Sequence, residues 1–187
     1  MVDIARETIE RAARNDMAAF KEIYQAASPF VYSLALRIVP NSADAQEVTQ
    51  DVFIKIYHHL SSFRFSSAFK TWIYRITVNT AINYHRKYAK EKQRRVNNEH
   101  VLDLASSSSS SDEKALQGDH EAQLNMLLGS LTLEHRACIV LREIEGLNYQ
   151  QMASALSIPV NTVRSRLKRA RQALLQAARK ESPYELR

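Results

Sequence analysis

Glycine occupies only three of the 187 positions, while Ala, Leu, Arg, Gln and Glu recur throughout. Such a chain has few flexible joints and many strong helix formers, so an all-α fold is expected. The apolar pattern agrees. Ile4, Ile9, Ala12 and Ala13 share one face of a short helix, and Asn15-Asp16 stops it and can cap the next. The following helix carries Met17, Phe20, Ile23 and Tyr24 on its apolar side, and Pro29 either kinks it or opens a further one. Phe30, Leu34, Ile38 and Val39 continue the stripe until Pro40-Asn41-Ser42 breaks it.

Charge divides the chain more clearly than hydrophobicity does. Residues 1–60 carry six bases and eight acids, 61–95 nine and one, 96–125 one and six, and 126–187 ten and five. Two basic blocks separated by an acidic one resemble two polyanion-binding modules on a tether. The expected organisation is two small helical domains, 1–95 and 124–180, joined by a flexible linker, 96–123. That linker holds the Ser106–Ser111 tract and Asp112-Glu113, a low-complexity composition. No apolar run reaches the roughly 20 residues that span a bilayer, Met1–Arg14 lacks a signal-peptide core, and Cys138 is the single cysteine. A cytoplasmic protein without stable membrane insertion is expected.

The helix expected over Ala43–Leu60 buries Ala45, Val48, Val52, Phe53, Ile56 and Leu60. Asp44, Glu47 and Asp51 cluster on another arc, with Ile54 beside them. This is either a solvated acidic surface or a docking face for a basic partner.

Ser61–Arg95 concentrates seven of the fifteen aromatic residues and nine bases against the single acid Glu91. Two readings stand: a buried helix with a basic tail, or aromatic platforms for bases within a phosphate-attracting field. Ser61–Ser67 reads as a loop in which Phe63 and Phe65 are too apolar for idle exposure: one packs and the other can receive an unstacked base. A long helix follows from Ala68 to about Lys92. Ile73, Thr77, Val78, Ala81, Ile82, Tyr84 and Tyr88 face inward on it. Trp72, Arg75, Asn79, Asn83, Arg86 and Lys90 form the opposite stripe, where amides flanked by guanidinium groups can meet base edges.

Leu124, Leu127, Leu128 and Leu131 open the second domain. Thr132 caps a helix carrying Ala137, Ile139, Val140, Leu141 and Ile144, ended by Gly146, with Cys138 as a small core residue. Next, Met152, Ala153 and Leu156, then the turn Ser157-Ile158-Pro159, then Val163, Leu167, Ala170 and Leu174 fit a helix-turn-helix. Asn161, Ser165, Lys168, Arg169 and Gln172 face away from that seam and can enter a major groove, with Arg164, Arg166 and Arg171 placed for phosphates. There is no glycine-rich phosphate loop, no HExxH and no cysteine cluster with metal spacing, so neither a cofactor nor a metal is expected. His58 and His59 are adjacent and project apart on a helix.

The segments DAQEVTQDVFIKIYHHLSSFR, FKTWIYRITVNTAINY and LREIEGLNYQQMASALSIPVNTVRSRLKRAR, in this order, resemble extracytoplasmic-function sigma factors of the envelope-stress type. The resemblance implies sigma regions two and four without region three, and no enzymatic activity. It implies docking of Asp44, Glu47, Asp51 and Ile54 on the clamp helices of the RNA polymerase beta-prime subunit, with the beta flap as a further core contact. Phe63 would hold a base flipped from the melted non-template strand of the minus-ten element, and Asn79 and Asn83 would read its upstream edge, beside Trp72, Arg75 and Arg86. Arg164, Ser165 and Arg169 would contact the minus-thirty-five duplex, with Asn161, Thr162, Arg166 and Lys168 nearby. An anti-sigma factor is the implied regulator. A stand-alone helix-turn-helix regulator is the alternative; it uses residues 126–187 and leaves the aromatic loop and the acidic helix without a role.

Overall fold

A computed structural model describes residues 4–39, 41–98 and 118–181. Every regular element among them is a helix: α1 (Arg6–Ala13), α2 (Met17–Ile38), α3 (Ser42–His59), α4 (Phe69–Asn98), α5 (Gly118–Gly129), α6 (Leu133–Ile139), α7 (Tyr149–Leu156) and α8 (Val160–Glu181). Among the described residues no helix is long and apolar enough to cross a membrane.

Capping chemistry sets the starts. The Asp16 carboxylate accepts from the backbone N–H groups of Ala18 and Ala19 at 2.9 and 3.1 Å, and Asn15 turns the chain before it with φ +67°. The Ala19 bond first, and the Arg11 side chain next, hold the Asp16 pKa below its ordinary value. Asn41 caps α3 through Asp44 N–H, Thr132 caps α6, and Asn148 with Gln151 closes a reciprocal box on α7. Pro29 neither ends nor restarts a helix: α2 runs through it unbroken. The linker expected over 96–123 is shortened from both sides, because α4 continues to Asn98 and α5 begins at Gly118. Its Ser tract lies outside the described residues.

One buried apolar cluster runs through both units; in the first, α2, α3 and α4 pack around Val31, Leu34, Val48, Val52, Ile56, Ile73 and Val78. A satellite core of Ile9, Ala12, Ala19, Ile23 and Leu60 ties α1 beneath the loop after α3. In the second unit α6, α7 and α8 close on Cys138, Leu141, Met152, Val163 and Leu167. Burial raises the Cys138 thiol to about 11, so it stays an inert core group. Past Ile139 the α6 path widens into one π turn, Val140–Ile144, before Gly146 reverses it at φ +71°. Ser157 takes φ +55° to make the tight α7–α8 turn.

The two units pack on one another: α7 lies against α4, and α6 approaches α2. Tyr74 and Thr80 are buried, at 2% exposure each, although neither belongs to the inward set read from one helix: Tyr74 meets Glu145 of the second unit, and Thr80 meets Lys55 of α3. Conversely Tyr88, expected to face inward, is 56% exposed.

Candidate nucleic-acid interface

Along α4 the spacing 72, 75, 79 and 83 brings Trp72, Arg75, Asn79 and Asn83 to one side, where with Lys55 and Thr80 they line an open groove of about 350 Å³ beside α3. Thr77 satisfies itself by donating to the carbonyl of Ile73 at 2.9 Å. Thr80 instead accepts the Lys55 ammonium at 3.0 Å, fixing a cation in the groove wall. Lys55 was missed in the sequence; the signal was a lone base between Arg37 and Arg64, four residues after Asp51 on the acidic arc. The groove therefore offers amide donors and acceptors, two fixed or nearby cations and an indole, a set suited to bases and phosphates together.

Arg86 does not join them. It turns away from the groove and pairs with Glu134 of α6. Burial opposes ionisation of Glu134, yet the hydrogen bond and charge of Arg86 outweigh it and leave the carboxyl pKa lowered.

Both loop phenylalanines pack, contrary to the expectation of one. Phe63 sits 4.8 Å from Phe65, 5.3 Å from Phe69 and 5.2 Å from Trp72, centroid to centroid. Trp72 is thus shared between this cluster and the groove. Phe65 adopts φ +52°, a strained backbone for a bulky residue, with the Arg6 guanidinium 4.5 Å above its ring.

Glu47 and Asp51 line a second groove, about 410 Å³, with Asn83, Tyr84, Lys87 and Tyr88, so the acidic arc faces the basic end of α4. Tyr84 donates to Asp44 at 3.3 Å; burial first, and that carboxylate second, raise the phenol pKa. Ile54 does not accompany these carboxylates. At 55% exposure it belongs to an apolar hollow of about 530 Å³ with Met17, Tyr24, Phe53 and Tyr57 on α2 and α3. The wheel of α3 alone does not reveal this hollow, because Met17, Phe20 and Tyr24 come from α2.

On α8 the exposed and buried sides fall where the helical period places them. Asn161, Arg164, Ser165, Lys168 and Arg169 are exposed, Thr162 and Arg166 half-buried, and Val163, Leu167 and Ala170 seal the opposite seam. Tyr149 of α7 lies under Arg142 and Arg164, at 5.2 and 5.9 Å from the ring centroid. Arg171 is held by Glu143 at 2.7 Å.

Comparison with known proteins assigns the same two units. The sigma-70 region 2 model matches residues 23–91, and the sigma-70 region 4 model matches 121–174. The RNA polymerase sigma-H factor of Pseudomonas aeruginosa is 36% identical over 182 residues, covering 92% of each chain. The ECF RNA polymerase sigma-E factor of Escherichia coli is 36% identical over 174 residues, covering 89% of this chain and 90% of that one. Among solved structures, CnrH in complex with the cytosolic domain of CnrY superposes with a TM-score of 0.67 at 23% identity, covering 96% of this chain and 100% of that chain. The sigma factor RpoE in complex with the anti-sigma factor NepR from Bartonella quintana gives 0.63 at 24% identity, covering 84% and 94%.

Proposed function

The chain belongs to the extracytoplasmic-function sigma factors of the sigma-70 family, and on that premise we propose that it binds core RNA polymerase and directs promoter-specific initiation in a stress response. One observation carries the reading: a single chain holds both a recessed polar-aromatic groove on α4 and a protruding basic face on α8. The first suits a melted strand and the second a duplex.

In this reading Trp72, Arg75, Asn79 and Asn83 take up the non-template strand of the minus-ten element, with Lys55 as an added contact and Arg86 joining once it leaves Glu134. The aromatic loop of Phe63 receives an extruded base. Asn161, Thr162, Arg164, Ser165, Arg166, Lys168 and Arg169 read the minus-thirty-five duplex. Core docking uses the Ile54 hollow for apolar contact with the beta-prime clamp helices, while Asp44, Glu47 and Asp51 add charge complementarity; the second unit meets the beta flap. No bond is made or broken by the protein: stacking and pocket contacts offset a few kcal/mol of unstacking per base. Family membership supports an anti-sigma factor as regulator, as NepR is for its RpoE partner, and a cytoplasmic site of action.

The test is run-off transcription with sigma-free core polymerase and genomic promoter fragments. Discrete starts that depend on the protein are expected. Folded protein that yields none, yet binds duplex DNA tightly without core, would replace this reading with a stand-alone regulator.

A further inference from the structure

Among the described residues, Asn15, Phe65 and Ser157 are the non-glycine residues with positive φ, and only Phe65 is bulky. Asn15 and Ser157 turn the chain from one helix into the next, a place where small polar residues accept this conformation. For a phenylalanine it is strained. We propose that Phe65 is a displaceable lid over the face of Phe63 that takes an extruded base, and that Arg6 of α1 clasps this lid and passes to the DNA backbone when the base drives it off. This rests on the reading above in which the loop of Phe63 receives that base.

Phe63 is ringed by Phe65, Phe69 and Trp72, with centroids 4.8, 5.3 and 5.2 Å away. These are contact distances for aromatic pairs, so a base can lie on Phe63 only where one of the three gives way. Phe69 and Trp72 stand on the first turn of α4, stacked on each other at 5.5 Å and 27°. Moving either means moving the helix. Phe65 stands in the loop between the turn Leu60–Ser62 and α4, and leaving the cluster lets its φ of +52° relax. Phe65 is therefore the ring that yields.

Arg6 supplies the clasp. Its guanidinium lies 4.5 Å from the Phe65 centroid, and α1 is anchored beneath the loop by Ile9 and Ala12, which share a core with Leu60. The cation is thus offered from a fixed element. Its hold is weak enough to exchange. Arg6 is exposed, and its pairing with Glu10 at 2.7 Å joins side chains that are 73% and 41% exposed, so water screens it. A cation–π contact at an exposed site is similarly modest. Trp72 belongs both to the ring cluster and to the wall of the α4 groove. The lid therefore opens at the edge of the groove that takes the strand, and a nucleotide entering there brings its phosphate to the freed guanidinium.

The experiment measures DNA binding by the full-length chain in complex with core polymerase. The probes are duplexes from the run-off fragments with an unpaired minus-ten bubble, intact or abasic at each non-template position in turn. The position whose abasic form binds more weakly marks the captured base. Phe65→Gly, at ease at positive φ, should bind the intact bubble at least about threefold more tightly, because no closed fraction reduces the competent population. It should bind the bubble abasic at that position as the parent does. Phe65→Asn also tolerates this φ and should match it, which covers any loosening of the loop by glycine. Arg6→Gln should make the plot of log affinity against log salt shallower by about 0.7 on the intact bubble, one phosphate contact on a single strand, and leave it unchanged on the abasic one. Weaker intact-bubble binding by both Phe65 variants would make Phe65 a stacking wall, and equal affinity would mean that its ring covers nothing. An unchanged slope would leave Arg6 a brace. Each of these overturns the proposal. If no abasic position weakens the parent, the base-receiving role of Phe63 fails and the lid with it. If the base effects appear as stated but no fragment gives a transcript start, the lid stands and the promoter-directing role fails.

Discussion

The two DNA-facing parts of this molecule solve opposite problems. On α4 the contact residues are partly recessed: Trp72 and Asn79 are half-buried beside the buried Thr80 and the Lys55 tied to it, while Arg75 and Asn83 are exposed at the rim. On α8 they protrude: Asn161, Arg164, Ser165, Lys168 and Arg169 are exposed above a separate apolar seam. The difference follows from the ligand. A base removed from the stack has to be desolvated by walls, so its receptor shares side chains with the core. A duplex supplies its own groove and accepts a helix whose reading side chains stay in water until contact. Recognition and folding are therefore coupled in the first unit and separable in the second.

Phe63→Ala gives the largest effect and tests that coupling. Loss of its ring contacts with Phe65, Phe69 and Trp72 should lower stability to denaturant by about 2 kcal/mol, since the ring is only half-buried. Open-complex formation should weaken by a further 1–3 kcal/mol, roughly one stacking contact. Phe63→Leu should recover most of the stability and little of the opening, while core binding stays nearly intact in both. Full recovery of promoter opening by Leu would make Phe63 structural alone, and equal loss of core binding would move it to the docking face.

Arg169→Ala is the matching test on α8. Its side chain is exposed, so stability should stay within about 0.5 kcal/mol. Discrimination among minus-thirty-five sequences should fall by about 1–3 kcal/mol if a bidentate base contact is lost. An unchanged preference removes Arg169 from the reading set; a large stability loss breaks the claimed separation itself.

How much was legible in the sequence follows the same division. The α8 face could be read from one helix because its fold side and reading side are set by that helix's own period. Helix starts at Asp16 and Thr132 were equally local, since a capping side chain bonds its own backbone. Tyr74, Thr80 and Lys55 were not legible, because each takes its role from another element: Glu145 across the unit boundary for Tyr74, and the Lys55–Thr80 bond across α3 and α4. Arg86 was grouped with the groove on wheel angle, yet a residue 48 positions later holds it elsewhere. The Ile54 hollow failed to appear for the same reason, being shared between two helices.

The smallest effect separates the arginines of the second unit from one another. Arg171 meets Glu143 through both Nε and Nη2, at 3.2 and 2.7 Å, and that hydrogen bond raises its pKa. Both side chains are about half exposed, so solvent screening holds the pair to a few tenths of a kcal/mol, and Glu143→Gln should leave stability almost unchanged. Its consequence should appear in DNA binding instead. Freed from the carboxylate, Arg171 can reach a phosphate beside the recognition helix and release one more counterion. A plot of log affinity against log salt for the minus-thirty-five duplex should then steepen by up to about 0.9, with sequence preference unaltered because phosphate contacts carry no base information. An unchanged slope would leave Arg171 as a brace between α8 and the π turn, and the phosphate contacts would fall to Arg164 and Arg166. A changed sequence preference would mean that Glu143 holds the recognition helix in register, joining fold and reading in the one unit where they stand apart.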